Sequence, residues 1–189
     1  MQRVQIHFMH SIILFILSSG CFTTAAQKQH SNISLGSSLS PIGNSSWRSP
    51  SGLYAFGFYQ QRNGSSYYVG VFLVGIPEKT VVWTANRDNP PVSSNATLMF
   101  NSEGRIVLRS GEQGQDSIIA DDSQSPSSAS MLDSGNFVLH NSDGKVIWQT
   151  FDHPTDTLLP TQRLSAGTEL CSGISETDPS TGKFRLKMQ

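Results

Sequence analysis

Short runs of alternating apolar and polar residues fill most of the chain, with turn residues between them at nearly regular intervals. Because successive side chains of a strand point to opposite faces, this alternation predicts half-buried β-strands. The runs cover residues 53–59, 67–74, 80–85, 97–100, 105–109, 130–132, 137–140 and 145–150. Residues 34–39 predict a short first strand, and residues 111–128 have the composition of an irregular segment around a small apolar core at 118–120. Helical periodicity is not sustained anywhere beyond the N-terminal segment, so the pattern predicts an all-β fold.

A unit made of a turn followed by a strand recurs along the second half of the chain. It reads N-S-E-G-R-I-V-L at 101–108, L-D-S-G-N-F-V-L at 132–139 and N-S-D-G-K-V-I-W at 141–148. Each copy has a glycine in the turn and alternating apolar residues after it. Repeated short hairpins at regular spacing predict a small barrel, prism or sandwich.

Residues 145–164 begin as a strand and continue as a turn-rich segment with an apolar anchor, L-L-P, at 158–160. Asp152 and His153 could be read as a catalytic or metal-binding pair, but no nucleophile or third ligand accompanies them in a recognisable pattern. We therefore interpret Asp152, His153 and Asp156 as turn residues. The chain carries no motif for catalysis, a metal or a cofactor, and it is predicted not to be an enzyme. Trp83 and Trp148 lie in apolar strands and are predicted to be core residues.

The N-terminal 26 residues have the layout of a secretory signal, with an apolar run at 11–17 and small residues before Gln27. A membrane anchor is the alternative, but the run is too short to cross a hydrocarbon core of roughly 30 Å. The remaining chain contains no second apolar stretch of spanning length. We therefore expect a secreted, extracellular protein, or a cell-surface one if the chain is part of a longer anchored receptor. Four N-glycosylation acceptors fit that route: Asn32, Asn44, Asn63 and Asn95.

Composition narrows the partners and the redox chemistry. The formal net charge is −1, with 13 basic and 14 acidic residues, so the chain lacks the basic surface that nucleic-acid binding requires. Of the two cysteines, Cys21 lies in the signal and Cys171 is left without an internal partner. The mature domain could fold without a disulfide, could lack the residue that pairs with Cys171, or could use Cys171 in an intermolecular bond.

Four segments together resemble the bulb-type lectin domain of plant lectin receptor-like kinases, the G-type or S-locus-like class. They read S-G-L-Y-A-F-G-F at 51–58, T-V-V-W-T-A-N-R at 80–87 with N-P-P-V at 89–92, L-D-S-G-N-F-V-L at 132–139, and W-Q-T-F-D-H-P-T-D-T-L-L-P at 148–160. The resemblance covers residues 34–164. It implies a β-prism of three four-stranded antiparallel sheets with pseudo-threefold symmetry, occupying residues 27–165.

Proteins of this class bind mannose through the pattern Q-x-D-x-N-x-V-x-Y, in which alternate side chains line one face of a strand. The register in this chain places Leu132, Ser134, Asn136, Val138 and His140 at the five positions, and only Asn136 and Val138 match the pattern. A second copy places Asn101, Glu103, Arg105, Val107 and Arg109 there. The segment near Gly52 retains none of the polar residues. The resemblance therefore implies a site for mannose-type or other glycans with these candidate residues: Asn136, Val138, Ser134, His140, Asn101, Glu103 and Val107.

Residues 166–189 are predicted to be a linker and the start of a second lectin-like unit, because S-T-G-K-F-R-L-K-M-Q at 180–189 resembles the approach to another motif. We expect the chain to be a shortened member of the class or a fragment of one. It contains none of the nucleotide-binding and catalytic residues of the kinase that longer members carry. The resemblance leaves two functions open: a glycan-binding module, or a protein-interaction, dimerisation or decoy module that has lost sugar binding and pairs with full-length receptor-like kinases.

Overall fold

A computed structural model describes residues 32–60, 64–76, 79–111 and 114–189, and these residues form a β-prism of three four-stranded antiparallel sheets. Three short strands come first, β1 (Ile33–Ser34), β2 (Ser38–Leu39) and β3 (Ser46–Arg48). Three meanders of three strands follow them. Each early strand adds to the edge of a different meander, so the segment from β1 to β3 ties the three sheets together.

The meanders have the same antiparallel order. The first contains β4 (Tyr54–Gln60), β5 (Tyr67–Leu73) and β6 (Val81–Thr84); the second contains β7 (Thr97–Phe100), β8 (Ile106–Arg109) and β9 (Asp116–Ala120). The third contains β10 (Ser128–Met131), β11 (Phe137–His140) and β12 (Val146–Gln149), and a 3-10 turn follows at Thr150–Asp152. The first, second and third sheets therefore have the orders β3-β4-β5-β6, β2-β7-β8-β9 and β1-β10-β11-β12. A hairpin of β13 (Glu169–Ser175) and β14 (Asp178–Lys187) forms a separate two-stranded sheet.

The inner faces of the three sheets share one apolar core. Phe56 of the first sheet stacks on Phe137 of the third, with ring centroids 3.9 Å apart, and Trp47 stacks on both. Phe100 of the second sheet is fully buried in the same cluster. Burial of apolar side chains of this size contributes roughly 1.5–3 kcal/mol each. Alternation supplies this core, because every second residue of each middle strand faces inward.

Two glycines allow the first sheet to close tightly. Gly57 of β4 lies opposite Gly70 of β5. A Cβ atom would lie 2.2 Å from the carbonyl oxygen of Ser45 at the first position and 2.2 Å from that of Trp83 at the second. Any larger residue would push the neighbouring strand away, so the small residues seen in this strand have a packing cause.

The predicted all-β class and the prism are confirmed, and the predicted strands recur within one or two residues of their bounds. Two local predictions are wrong. In place of one strand at 34–39 there are two two-residue strands, β1 (Ile33–Ser34) and β2 (Ser38–Leu39), separated by a turn at Gly36. Within the segment interpreted as irregular, Asp116–Ala120 forms strand β9, because its backbone completes the second sheet beside β8. The edge strand β3 went unpredicted, since three residues are too few to show alternation.

Both predicted core tryptophans pack against the core, Trp83 fully and Trp148 in part. The predicted turn residues also lie in turns. Asp152 accepts a hydrogen bond from Nε2 of Gln149, and Oδ1 of Asp156 accepts one from Thr157. The ring of His153 stacks on Trp148 with centroids 5.1 Å apart. These contacts give the three residues local structural partners.

Candidate functional site

The two motif copies begin in the turns before β8 and β11 and continue into these strands, which are the middle strands of their meanders. On β11, Phe137 and Leu139 enter the core cluster, so the alternating residues Asn136, Val138 and His140 face away from it. On β8, Ile106 packs in the core and Val107 takes the outward position. Val107, Val138 and His140 therefore point away from the core, whereas Asn101, Glu103 and Ser134 lie in the turns before these strands.

Asn136 is the most constrained of the candidates. Its side chain is only 6 % exposed. Nδ2 donates to Oε1 of Gln149 at 2.8 Å, and Oδ1 accepts from Oγ1 of Thr150 at 3.1 Å and from the backbone N–H of Phe151 at 3.2 Å. These bonds tie β11 to β12 and to the 3-10 turn. The amide thus stabilises the third sheet, and its hydrogen-bonding capacity is largely used within the fold.

The other third-sheet candidates surround this network. Val138 is fully buried between Ser130 and Gln149, its partners on the neighbouring strands. His140 is half-buried, and its Nδ1 lies 3.2 Å from the carbonyl oxygen of Gly144. Ser134 is half-buried in the turn before β11. Among these residues, Ser134 and His140 have the accessible side chains.

The second-sheet candidates form a chain of polar contacts. Oδ1 of Asn101 accepts from the backbone N–H groups of Glu103 and Arg105 at 3.1 and 2.9 Å, which fixes the turn. The carboxylate of Glu103 pairs with Nη1 of Arg105 at 2.8 Å, and Nε of Arg105 lies 3.2 Å from Asp121. Val107 is 5 % exposed. This face is therefore built from exposed ion pairs around a buried valine, and whether it binds a sugar stays a prediction.

The outward face of the first sheet is different, because aromatic residues cover it. Ala55, Tyr59, Tyr68 and Phe72 form a second buried cluster on this face. The hydroxyl of Tyr59 lies 2.8 Å from Oγ1 of Thr84, and burial raises the pKa of this tyrosine far above its ordinary value. The ammonium of Lys79 lies 4.7 Å from the centre of the Phe72 ring. Burial lowers the pKa of Lys79, with a further contribution from Arg48.

Arg87 and Asp88 attach the β13–β14 hairpin to the prism. The guanidinium of Arg87 is 9 % exposed and donates to the carbonyl oxygens of Cys171 and Ser172 at 2.9 Å each, and to those of Pro179 and Ser180. The carboxylate of Asp88 accepts from the backbone N–H and the hydroxyl of Thr181 at 2.7 and 2.9 Å. These bonds hold the pKa of Asp88 below its ordinary value, the backbone N–H contributing most. Arg87 and Asp88 therefore hold the hairpin against the prism, and we call these two residues the latch.

A cavity of about 550 Å³ remains between the first sheet and the hairpin. We call it the roofed pocket; its lining includes Tyr59, Tyr68, Thr84, Asp156, Ser175 and Pro179. A second cavity of about 430 Å³ opens beside the latch, between Trp83, Arg87, Trp148 and His153. Neither cavity could be predicted from the sequence. The alternation of Tyr59 with the core-facing Phe58 was a signal for the aromatic outward face, but its roof comes from residues more than a hundred positions later.

Topology also corrects where the first motif copy should be sought. The sequence predicts the first copy near Gly52, which precedes β4. The strand that corresponds to β8 and β11 is β5, the middle strand of the first meander. Tyr68 is paired one step from the hairpin end of β5, as Val107 and Val138 are on their strands. The first sheet thus presents an aromatic ring where the others present valine.

Other site classes find little support in the described part of the chain. No three His, Cys, Asp or Glu residues there come together as a metal site would require. No helix in the same residues is long and apolar enough to cross a membrane.

Asn32, Asn44 and Asn95 are exposed, as acceptors of glycans must be, whereas Asn63 lies outside the described residues. Glycosylation stays a prediction at all four.

The prism with outward-facing motif strands is the architecture of a lectin module, and comparisons with known proteins identify its family. The family model described as D-mannose binding lectin matches residues 80–173, about half of the chain. The chain is 42 % identical to the G-type lectin S-receptor-like serine/threonine-protein kinase LECRK3 of Oryza sativa subsp. indica, over 97 % of this chain and 23 % of that protein. It is 33 % identical to the receptor-like serine/threonine-protein kinase SD1-7 of Arabidopsis thaliana, over 97 % of this chain and 22 % of that protein. The chain belongs to the D-mannose binding lectin family.

The matched kinases are much longer than this chain. The chain spans less than a quarter of the length of these two kinases. Among solved structures, the Japanese Marasmius oreades lectin is similar over 65 % of this chain and 91 % of that chain, with 18 % identity and a TM-score of 0.46. The family match and the two kinase relatives, by themselves, make this chain a lectin domain similar to one part of plant receptor-like kinases.

Proposed function

We propose that this chain is an exported carbohydrate-recognition module that binds mannose-type or related glycans without a metal ion. The observation that carries the proposal is the division of faces on β8 and β11. Inward residues build the common core, while Val107, Val138 and His140 point away from it.

Affinity at one such site should be weak. The third sheet retains Asn and Val of the family pattern, but Asn136 is already bonded inside the fold. Weak sites of this kind gain strength when several engage one branched glycan, since the second contact is intramolecular. We therefore expect binding to be clearer on dense glycan surfaces than in solution.

The experiment is retention of the full chain on mannose-agarose and on a glycan array, at several ligand densities. We expect retention that rises with density and elution by a free mannose-type sugar, with an unrelated free sugar as the control. No retention on any glycan at any density would refute the proposal.

Protein interaction is the second candidate function, and the hairpin favours it. Phe184 is 81 % exposed and Leu186 59 %, on the same side of β14, while Cys171 on β13 is half-buried. Exposed apolar side chains grouped in this way are typical of contact surfaces. Co-precipitation with full-length receptor-like kinases, with and without reductant, tests this function. Failure to pair under either condition would remove it, and Phe184→Ser, with Ile42→Ser as the control, would locate a positive result.

A further inference from the structure

The outer edge of β14 is an exposed strand edge. Within the described residues, β14 pairs with β13 and with no other strand. Residues 183–187 of β14 are all exposed, on both faces of the strand. On the basis of the protein-interaction function above, we propose that this edge binds an extended segment of a partner protein in which apolar and acidic residues alternate. The segment pairs with β14 as a third strand of the hairpin sheet.

Backbone groups of β14 are directed toward this outer edge. Arg185 lies opposite Cys171, whose N–H donates to the carbonyl oxygen of Thr155, outside the hairpin, at 2.8 Å. Opposite residues of an antiparallel pair either exchange two hydrogen bonds or both point their backbone groups away from each other. The N–H and C=O of Arg185 therefore face the outer edge, and by alternation those of Lys187 do as well. Unpaired backbone groups in a row are a template for an added strand.

The two faces of this edge select different side chains. Phe184 and Leu186 are exposed on one face, and Arg185 and Lys187 lie on the other. The carboxylate of Glu169 pairs with Arg185, so the second face has two cations and one carboxylate. Directly opposite side chains on neighbouring strands interact, and opposite charges stabilise the pair. A strand with apolar residues on the first face and acidic residues on the second therefore complements both.

The same charges oppose pairing of β14 with a second copy of the chain. Two β14 strands side by side would bring together Lys183, Arg185 and Lys187 of both copies, with one Glu169 from each. Like charges opposite each other on neighbouring strands are destabilising, and lysine at an exposed edge is a common means of preventing self-association. The charge of the edge therefore favours an acidic segment over the chain itself.

Capped synthetic peptides test this pairing with the full chain. The probe is acetyl-(Val-Glu)4-amide, in which apolar and acidic side chains alternate. Acetyl-(Val-Lys)4-amide has the same alternation with the opposite charge. A third peptide has the sequence of the probe with every backbone nitrogen methylated, so it keeps the side chains and lacks the N–H groups of a strand. Fluorescence anisotropy of labelled peptides measures the affinity, and amide exchange of the chain locates the contact.

We expect the acidic peptide to bind, and the basic and methylated peptides each to bind about ten-fold more weakly or less. Binding of the acidic peptide should decrease with added salt. The N–H groups of Arg185 and Lys187 should gain protection from exchange. That of Leu186, which alternation directs toward β13, should change little.

A charge reversal on the edge tests the selection of an acidic partner. The double variant Lys183→Glu with Lys187→Glu should lose the acidic peptide and prefer the basic one. Lys145→Glu is the matched control, because Lys145 is an exposed lysine before β12, on the third sheet. This control should bind the acidic peptide as the unaltered chain does. Unchanged thermal unfolding would show that each variant folds.

The opposing outcomes separate this inference from the function on which it rests. If the chain pairs with full-length receptor-like kinases and Phe184→Ser weakens that pairing, but no peptide binds, the interaction function stands and the added strand is wrong. Equal binding of the methylated peptide would also exclude strand pairing, and equal binding of the basic peptide would exclude an acidic partner. Self-association of the unaltered chain that Phe184→Ser abolishes would identify a second copy as the occupant. If neither the kinases nor any peptide binds, both the function and the inference fail.

Discussion

The first and third sheets have the same strand order but opposite outward faces. On the third sheet, Asn136, Gln149 and Asp152 bond to one another in sequence, so the polar groups are satisfied within the face. On the first sheet, Tyr59 and Tyr68 form an aromatic surface, and the hairpin covers it at a distance that leaves a cavity. A common backbone therefore supports one face that stabilises the fold and one that leaves room for a ligand.

The inner faces do not differ in this way, since the two sheets meet ring to ring. The side chains of the first and third meanders therefore differ on the outward faces, where packing of the common core does not restrict them. Each inward position must fill a volume that the three sheets share, whereas an outward position contacts its neighbours on the same face and, on the first sheet, faces the hairpin. Substitutions at inward positions should therefore cost more stability than substitutions at outward positions.

Phe56→Ala should cause the largest loss of stability, about 3–5 kcal/mol, because it leaves a cavity at the centre of the core. Phe56 is fully buried and stacks on Phe137, so the first and third sheets should loosen together. Chemical denaturation checks the free energy of unfolding, and Phe137→Ala should give a similar value. If amide protection fell in only one of the two sheets, the prediction of a shared core would be wrong.

Arg87→Ala should loosen the hairpin beside the first sheet and leave the third sheet unchanged. It removes charge-assisted hydrogen bonds from four hairpin carbonyl groups, at a cost of about 3 kcal/mol to hairpin docking. We expect amide protection to fall in β13 and β14 and to remain in β11 and β12. Arg87→Lys keeps the charge but lacks the planar fork, so it should restore only part of the docking. If the amide groups of the hairpin stayed fully protected in Arg87→Ala, Arg87 would not be what holds the hairpin in place.

Asn136→Ala should weaken the third sheet alone. Three hydrogen bonds converge on this buried amide, and their loss leaves Thr150 and the N–H of Phe151 without that acceptor. We expect a loss of about 2 kcal/mol. Asn101→Ala is the matched control, because its more exposed turn should cost less. Equal losses would mean that burial of Asn136 does not matter.

Several of these features could be predicted from the sequence and others could not. Alternation in residues 137–140 identified β11 and its inward face, because both follow from local periodicity. The partners of Asn136 and Arg87 could not be identified, since Gln149 and the hairpin carbonyls are brought near only by the closed fold. The roofed pocket is lined by residues from 59–84 and from 156–179. No local sequence pattern predicts that two segments so far apart in the chain lie close together. Strand β9 was missed because its neighbour β8, rather than its own composition, makes it a strand.

The smallest expected effect is an acid dependence of hairpin docking. Hydrogen bonds from Thr181 hold the pKa of Asp88 below its ordinary value of 3.8. A carboxyl group whose pKa is lowered by folding stabilises the folded state above its unfolded pKa and loses that contribution as pH falls through the folded one. Docking should therefore be constant above pH 3.8 and weaken as the pH is lowered further, as amide exchange of β14 would show. Asp88→Asn should remove that part of the acid dependence, because the amide does not titrate. Since Asp88 is exposed, the effect should be small and should decrease with added salt. If the unaltered chain and Asp88→Asn had identical pH profiles, this carboxylate would not contribute to hairpin docking.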